Sequence, residues 1–417
     1  MANTMTVEPK QESRRETRRS VPRRSLLTGA ALLASRPFAT SAQPAGGGKT
    51  LAYVGACAPN GQGIHLFGVN PATGGLSPVK VFRGTSPGWL AFDPKKKNLY
   101  AANEVTNFEG GTTGSVSAYA VDPANGDLTL LNTVTSGGAG PAHLSVDPRG
   151  QYVFVANYDG GSVAVLPVLA KGSLGKPTDI KKDNRACTPA CAVGPTHAQN
   201  GPPGSFAISG HDTPHAHMIQ ADPAGNYVLA QDLGLDLTIV WKLNRADGTL
   251  QAHQTVPSLP GAGPRHFAFH PNGRWFYSLN EEASTLAFLT YNGATGMLSA
   301  RQEISTLPPG FQGTSFTSEV IVSADGRFVY CCNRLHNTVA TFAIDGTGRV
   351  KRTREEWTRG DYPSHCAIDP SGRFLYVCHD RSDNVTVFRI DRDAGALTFT
   401  GEYAGVGNPA VIAFLQV

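Results

Sequence analysis

The stretch Pro363-Ser364-His365-Cys366-Ala367-Ile368-Asp369-Pro370-Ser371-Gly372-Arg373-Phe374-Leu375-Tyr376-Val377-Cys378-His379 decides the fold. An apolar strand runs into an Asp-Pro-x-Gly turn, and a second apolar strand follows and ends on a polar residue. Six copies align on turn residues Asp93, Asp147, Asp222, His270, Ser323 and Asp369, at spacings of 54, 75, 48, 53 and 46 residues. A period of this size built from short strands marks a β-propeller blade.

Working outward, each cassette is followed by a third strand: Ser115–Tyr119, Ser162–Leu166, Leu237–Trp241, Thr285–Leu289, Thr338–Phe342 and Asn384–Phe388. A polar turn rich in Asp, Gly and Asn then leads to a fourth strand near Leu128, Leu174, Leu250, Leu298, Val350 and Leu397. Such turns suit hairpins, which need positive φ at one or two positions. Three strands, Leu51–Ala56, Ile64–Val69 and Leu76–Phe82, open residues 51–417 without a cassette. The missing inner strand stands at the other end, in 408–415. Sharing one blade between both ends closes a ring and removes the exposed sheet edge. The expected fold is all-β: a seven-bladed propeller of four-stranded blades, closed by the C-terminal strand joining the N-terminal ones.

Residues 1–42 read differently. They hold eight basic and three acidic side chains, the pair Arg23-Arg24, an apolar stretch from Leu26 to Ala34 and then Thr40-Ser41-Ala42. That order is an export signal, and Arg-Arg-Ser-Leu-Leu has the twin-arginine pattern. The protein is therefore expected to be exported, to the periplasm or beyond, with 43–50 as a linker. The net charge of +4 for the whole chain belongs to this segment; the remainder is near −1. Nothing in it suggests a nucleic-acid surface, and no apolar run is long enough to span a bilayer. Seven cysteines are too few for a disulfide scaffold. Cys187 and Cys191 lie in a loop where a bridge is open to them, whereas Cys331, Cys332, Cys366 and Cys378 fall in strands and read as buried thiols. The excess of the 75-residue interval falls at 181–212, rich in Pro, Gly, Ala and Thr, either a surface loop or a lid.

Counting from each turn residue as zero, the inner strand begins at position −5 and the second strand ends at +10 and +11. The two strands are antiparallel, so these positions share one end of the ring, around the central channel where propeller ligands sit. Position −5 holds Gly88, Ala142, His217, Arg265, Ser318 and Ser364, and −4 holds Trp89, His143, Met218, His266, Glu319 and His365. Position +10 holds Asn103, Asn157, Asp232, Asn280, Asn333 and His379, and +11 holds Glu104, Tyr158, Leu233, Glu281, Arg334 and Asp380. Strand-end capping explains the asparagines. It does not explain arginines, histidines and acids crowding one mouth.

The repeat Asp-Pro-x-Gly-Arg-Phe-x-Tyr, the block Thr213-Pro214-His215-Ala216-His217, and Gly263-Pro264-Arg265-His266 with Asn280-Glu281 resemble the lactonase-type seven-bladed propellers. That family includes bacterial 6-phosphogluconolactonase and the 3-carboxymuconate lactonising enzyme. The resemblance implies a catalytic set of His217, Arg265, Glu281 and Arg334. His215, His266, Glu319, Asn333, His143 and His365 are expected to contact substrate or support the set. It implies a lactone hydrolase of the 6-phosphogluconolactonase kind, with arginines clamping an anionic substrate and His217 and Glu281 sharing acid and base work. A muconate-lactone cycloisomerase and a non-catalytic propeller that binds a sugar acid or a protein are the alternatives. No metal or other cofactor is expected, because the arginines repel a divalent ion, and a monomer is expected. The segment Gly201–Gly210 lacks the arginine of the family's loop, and an exported enzyme would not meet a phosphorylated lactone made in the cytoplasm.

Overall fold

The computed structural model describes residues 48–182, 205–206, 210–211 and 213–417. Residues 1–42, read above as an export signal, and most of the insertion, with Cys187 and Cys191, lie outside the described residues. Seven antiparallel four-stranded sheets follow one another. The closing blade holds Thr50–Ala56, Gly63–Val69 and Leu76–Arg83 with Pro409–Gln416 as its inner strand. Blades 1 to 6 start at inner strands Pro87–Phe92, Pro141–Val146, Ala216–Ala221, Pro264–Phe269, Phe316–Val322 and Pro363–Ile368. Thr50 pairs with Gln416 and Val54 with Ile412, so the ring is closed by a seam between the two ends of the propeller.

The core is not a single mass. It comprises seven layers, each filled by two adjacent blades; one packs Phe154 and Val165 of blade 2 against Ile219 and Trp241 of blade 3. The layer between the closing blade and blade 6 packs Val54 and Phe67 against Phe374 and Val387. Each such buried side chain contributes about 1.5–3 kcal/mol. The cassette motif has a matching physical basis. The turn aspartate accepts the two amides that open the next strand, as Asp369 Oδ1 does from Arg373 and Phe374 at 3.0 and 2.8 Å. The turn glycine takes positive φ, and in the first cassette Lys96 adopts φ 58° in its place. The motif tyrosine reaches the next blade: Tyr100 and Tyr376 donate to the carbonyls of Gly172 and Gly74 at 3.0 and 2.7 Å.

Two local readings change. The fourth strand of blade 2 is Asp179–Lys182, not a strand at Leu174, which makes only an isolated bridge to Val168. Pro177 lacks an amide donor, and the strand begins only beyond it. The inserted segment is also not free of pairing, since Ser205–Phe206 forms a two-residue parallel ladder with Gly313–Thr314 at the approach to blade 5. The four strand cysteines are buried free thiols, as expected. Among the described residues no helix is long and apolar enough to cross a membrane.

Candidate functional site

Every inner strand breaks its ladder at the same place. Register shifts fall between Pro87 and Trp89, Pro141 and His143, Ala216 and Met218, Pro264 and His266, Thr317 and Val320, and Pro363 and His365. The closing blade shifts where Pro409 and Val411 flank Ala410. Position −5 therefore leaves the ladder in all seven blades, alone in six of them and together with Glu319 in blade 5. A bulge leaves one residue unpaired and re-aims its side chain. That is what carries His217 and Arg265 out of the alternation of their strands and into the channel mouth. Bulge residues also bond around the ring: Arg265 Nη1 donates to the Ser318 carbonyl, Ser318 Oγ to the Pro363 carbonyl at 2.6 Å, and Ser364 Oγ to the Pro409 carbonyl at 3.2 Å.

At the mouth, three successive blades meet. Arg265 Nε of blade 4 lies 2.8 Å from Glu281 Oε2, and Arg334 Nη2 of blade 5 lies 2.6 Å from that same oxygen. All three side chains are about nine-tenths buried. Arg334 Nη2 also donates to the Thr317 carbonyl at 2.8 Å, and its guanidinium lies over the Tyr362 ring. Burial opposes the charge on both arginines. For Arg265 burial and the neighbouring Arg334 win, moving its pKa down; for Arg334 the Glu281 carboxylate outweighs burial and moves it up. The two partners of one carboxylate thus shift oppositely. Both guanidiniums stay protonated throughout the working range.

His217 of blade 3 stands beside this pair. Burial, then Arg265, His266 and Arg334, hold its imidazole well below the usual range, so it is neutral. Its Nδ1 is buried without a hydrogen-bond partner among the described residues. Its ring packs edge-on to His266 at 4.9 Å and Tyr158 at 5.4 Å.

Below the bulges, position −4 forms a second layer. Trp89 of blade 1 reaches the rings of His143, His266 and His365 at 4.3, 5.2 and 5.1 Å, from blades 2, 4 and 6. It therefore crosses the channel as a plug. Glu319 accepts from its neighbour's amide, Val320 N, at 3.0 Å, and lies 3.1 Å from His266 Nδ1 and 3.5 Å from His365 Nε2. Burial raises the Glu319 carboxyl against the pull of His365 and Arg265, and burial lowers all three histidines. His266 joins the layers, its Nε2 lying 3.4 Å from Arg265 Nη1.

Residues 51–414 match the family model described as "Lactonase, 7-bladed beta-propeller". The chain belongs to this family. A Bacillus subtilis protein named 6-phosphogluconolactonase is 32% identical over 371 residues, covering 88% of this chain and 99% of the relative. Among solved structures, a periplasmic gluconolactonase from Pseudomonas aeruginosa superposes with a TM-score of 0.78 at 30% identity, covering 88% of this chain and 99% of that one. One from Bacteroides fragilis, titled a putative 6-phosphogluconolactonase, gives 0.77 at 27% identity, with 88% and 98% covered.

In this lactonase-family propeller the expected residues do not all share one layer. His217, Arg265, Glu281 and Arg334 come together at the mouth. His266 and Glu319 support them from below, while His143 and His365 accept the amides of Ile219 and Ile412, each at 3.4 Å, beside Trp89. His215 stacks on Tyr158 at 4.3 Å, with Nδ1 3.1 Å from the Tyr158 carbonyl and its amide donated to Asp232 at 2.8 Å. Asn333, expected at the substrate, is fully buried: it donates to Thr338 Oγ1 at 3.2 Å and accepts from Thr306 Oγ1 at 2.7 Å. It caps a strand end. Sequence reasoning passed over His211, whose ring nitrogens lie 3.0 Å from both Asp236 and Glu282. This buried clamp holds the end of the insertion against the segment that leads into Arg265, because Asp236 also accepts the Gly261 and Gly263 amides at 2.7 and 2.8 Å. Its signal was His211 itself, conspicuous before Pro214-His215-Ala216-His217. Among the described residues no three His, Cys, Asp or Glu side chains are arranged to hold a metal. A cavity of about 440 Å³ opens elsewhere, between blades 2 and 3, lined by Lys181, Trp241 and His253 and lacking any such convergence.

Proposed function

We propose that this chain is a lactone hydrolase that opens a sugar-acid lactone at the channel mouth. The observation that carries this reading is the pair of guanidiniums from blades 4 and 5, fixed on one oxygen of Glu281 beside a neutral imidazole. Water attacks the lactone carbonyl carbon, and the carbonyl oxygen becomes an oxyanion. Fixed cationic N–H groups in a water-poor mouth stabilise that charge. His217, neutral across the working range, takes the proton of the attacking water. Glu281 holds Arg265 and Arg334 in place and keeps their mutual repulsion in check; with both ion pairs on one oxygen it is a better anchor than proton carrier.

The substrate is one met outside the cytoplasm. The Arg23-Arg24-Ser25-Leu26-Leu27 segment and the likeness to a periplasmic gluconolactonase both support this. The test is hydrolysis of gluconolactone and of 6-phosphogluconolactone by residues 43–417, against the spontaneous rate and beside His217→Asn. Acceleration of at least one lactone is expected, reduced about a hundredfold or more in the variant. A folded wild-type protein that accelerates neither would overturn the reading.

A further inference from the structure

Opening a lactone requires two proton transfers, and the reading above gives a residue to only one. The attacking water loses a proton, and the ring oxygen must gain one as its bond to the carbonyl carbon breaks. Position +11 places acids in blades 1, 4 and 6, and they are not equivalent. Glu281 is bound to two arginines. Glu104, directly after the Asn98–Asn103 strand of blade 1, makes no ion pair among the described residues. The side-chain hydrogen bond it takes there is a long one, from the Cys57 thiol to Oε2 at 3.9 Å.

Glu104 has a place in the mouth because the bulge beside it is Gly88. A Cβ on Gly88 would stand 2.8 Å from Glu104 Oε2 and 3.4 Å from Cys57 Sγ. The bulge position that projects His217 and Arg265 in other blades is here left empty, and the Glu104 carboxyl occupies that side. It stays open to solvent, hence to a ligand. Its amide donates to the Ser86 carbonyl at 2.8 Å, as that of Glu281 does to the Gly263 carbonyl at 2.6 Å, which sets both residues at the same end of their blades.

We propose that Glu104 is the proton donor to the departing ring oxygen. Resting on the lactonase reading, the cycle balances. Water adds to the carbonyl carbon and its proton passes to His217. The tetrahedral intermediate then collapses, the bond from carbonyl carbon to ring oxygen breaks, and that oxygen leaves as a hydroxyl carrying the Glu104 proton. Solvent takes the proton from His217 and returns one to Glu104, while the new carboxylic acid ionises. Crowding by the protein, then Asp159 and Asp380, hold the Glu104 proton to higher pH than an ordinary carboxyl, against the opposing pull of Arg265.

The experiment measures gluconolactone and 6-phosphogluconolactone hydrolysis in a pH-stat for wild type, Glu104→Gln and Gly88→Ala. Wild-type kcat is expected to fall as pH rises through the Glu104 titration. Glu104→Gln is expected to lower kcat about a hundredfold, leave KM within about threefold, and abolish that alkaline limb. Gly88→Ala keeps the charge but displaces the carboxyl, and is expected to lower kcat at unchanged Tm. If wild type is active and Glu104→Gln keeps both its kcat and its alkaline limb, or raises only KM, the proposal is overturned and the lactonase reading stands. If wild type hydrolyses neither lactone, both fall together.

Discussion

Replacing Glu281 by Gln should cost stability before it is read as a loss of catalysis. The carboxylate takes Arg265 Nε at 2.8 Å and Arg334 Nη2 at 2.6 Å, with the three side chains 8–11% exposed. Breaking a buried pair from one side costs about 3–5 kcal/mol, because the partner is left charged and unmatched. Here two guanidiniums are left facing each other, which pushes toward the upper end; the Gln carbonyl can still accept one hydrogen bond, which pulls back. Unfolding entropy of roughly 2 cal/mol/K per residue over a propeller of this length turns that cost into a Tm drop of roughly 4–6 °C. The assay is thermal and denaturant unfolding of wild type, Glu281→Gln, Arg334→Met and the double variant. Removing Arg334 as well should recover part of the loss, giving a coupling of about 2 kcal/mol or more. Additivity within about 0.5 kcal/mol would show that the pair does not act as a unit. A Tm shift below about 1 °C for Glu281→Gln would refute the anchoring role.

Three further outcomes are expected. His211→Ala should cost about 3–5 kcal/mol by removing the buried cation that Asp236 and Glu282 share. Burial opposes the His211 charge, but the bonds to Asp236 and Glu282 raise its pKa to about 10. The folded value lies above the unfolded one of about 6.5, so the wild-type advantage should be complete below that pH and vanish as pH climbs toward 10, as urea unfolding at several pH values will report. Asn333→Ala should lower stability by about 1–3 kcal/mol through loss of its buried hydrogen bonds to Thr306 and Thr338, with kcat/KM within about twofold of wild type in steady-state assays. Arg265→Lys should lower kcat/KM about tenfold or more although charge is kept, because one ammonium cannot both pair with Glu281 and present a planar fork; unchanged kinetics would remove Arg265 from the site.

Much of this was legible from the repeat. Blade count and ring closure follow from six cassettes and unmatched strands at the two ends, since patterning and turn chemistry agree in most copies and Lys96 takes the glycine's positive φ in the first. The convergence of His217, Arg265, Glu281 and Arg334 followed from aligning the copies. What the alignment lacked was register. Simple alternation sends neighbours −5 and −4 to opposite faces, and only the bulge lets both serve the channel at different depths. Its trace was the proline before it, at Pro87, Pro141, Pro264, Pro363 and Pro409, which removes an amide from the ladder. Trp89 as a plug needed the ring closed in space, because the histidines it meets are 54 to 276 residues away in sequence. Glu104 and Glu281 occupy one repeat position, yet only the neighbouring blades decide which is neutralised by arginine.

The seven bulges also bear on how such a mouth can change. A bulged residue contributes no rung to the ladder, so its identity is nearly uncoupled from the strand pairing that holds the blade. Five of the seven are small here, Gly88, Ala142, Ser318, Ser364 and Ala410, and two are large. Ser318 and Ser364 are tied to the next blade by their hydroxyls, but a single substitution at Gly88, Ala142 or Ala410 adds a side chain at the channel while the wall behind it keeps its pairing. The ring thus works as a socket with replaceable pins, in which selectivity can drift one residue at a time while the blades stay paired.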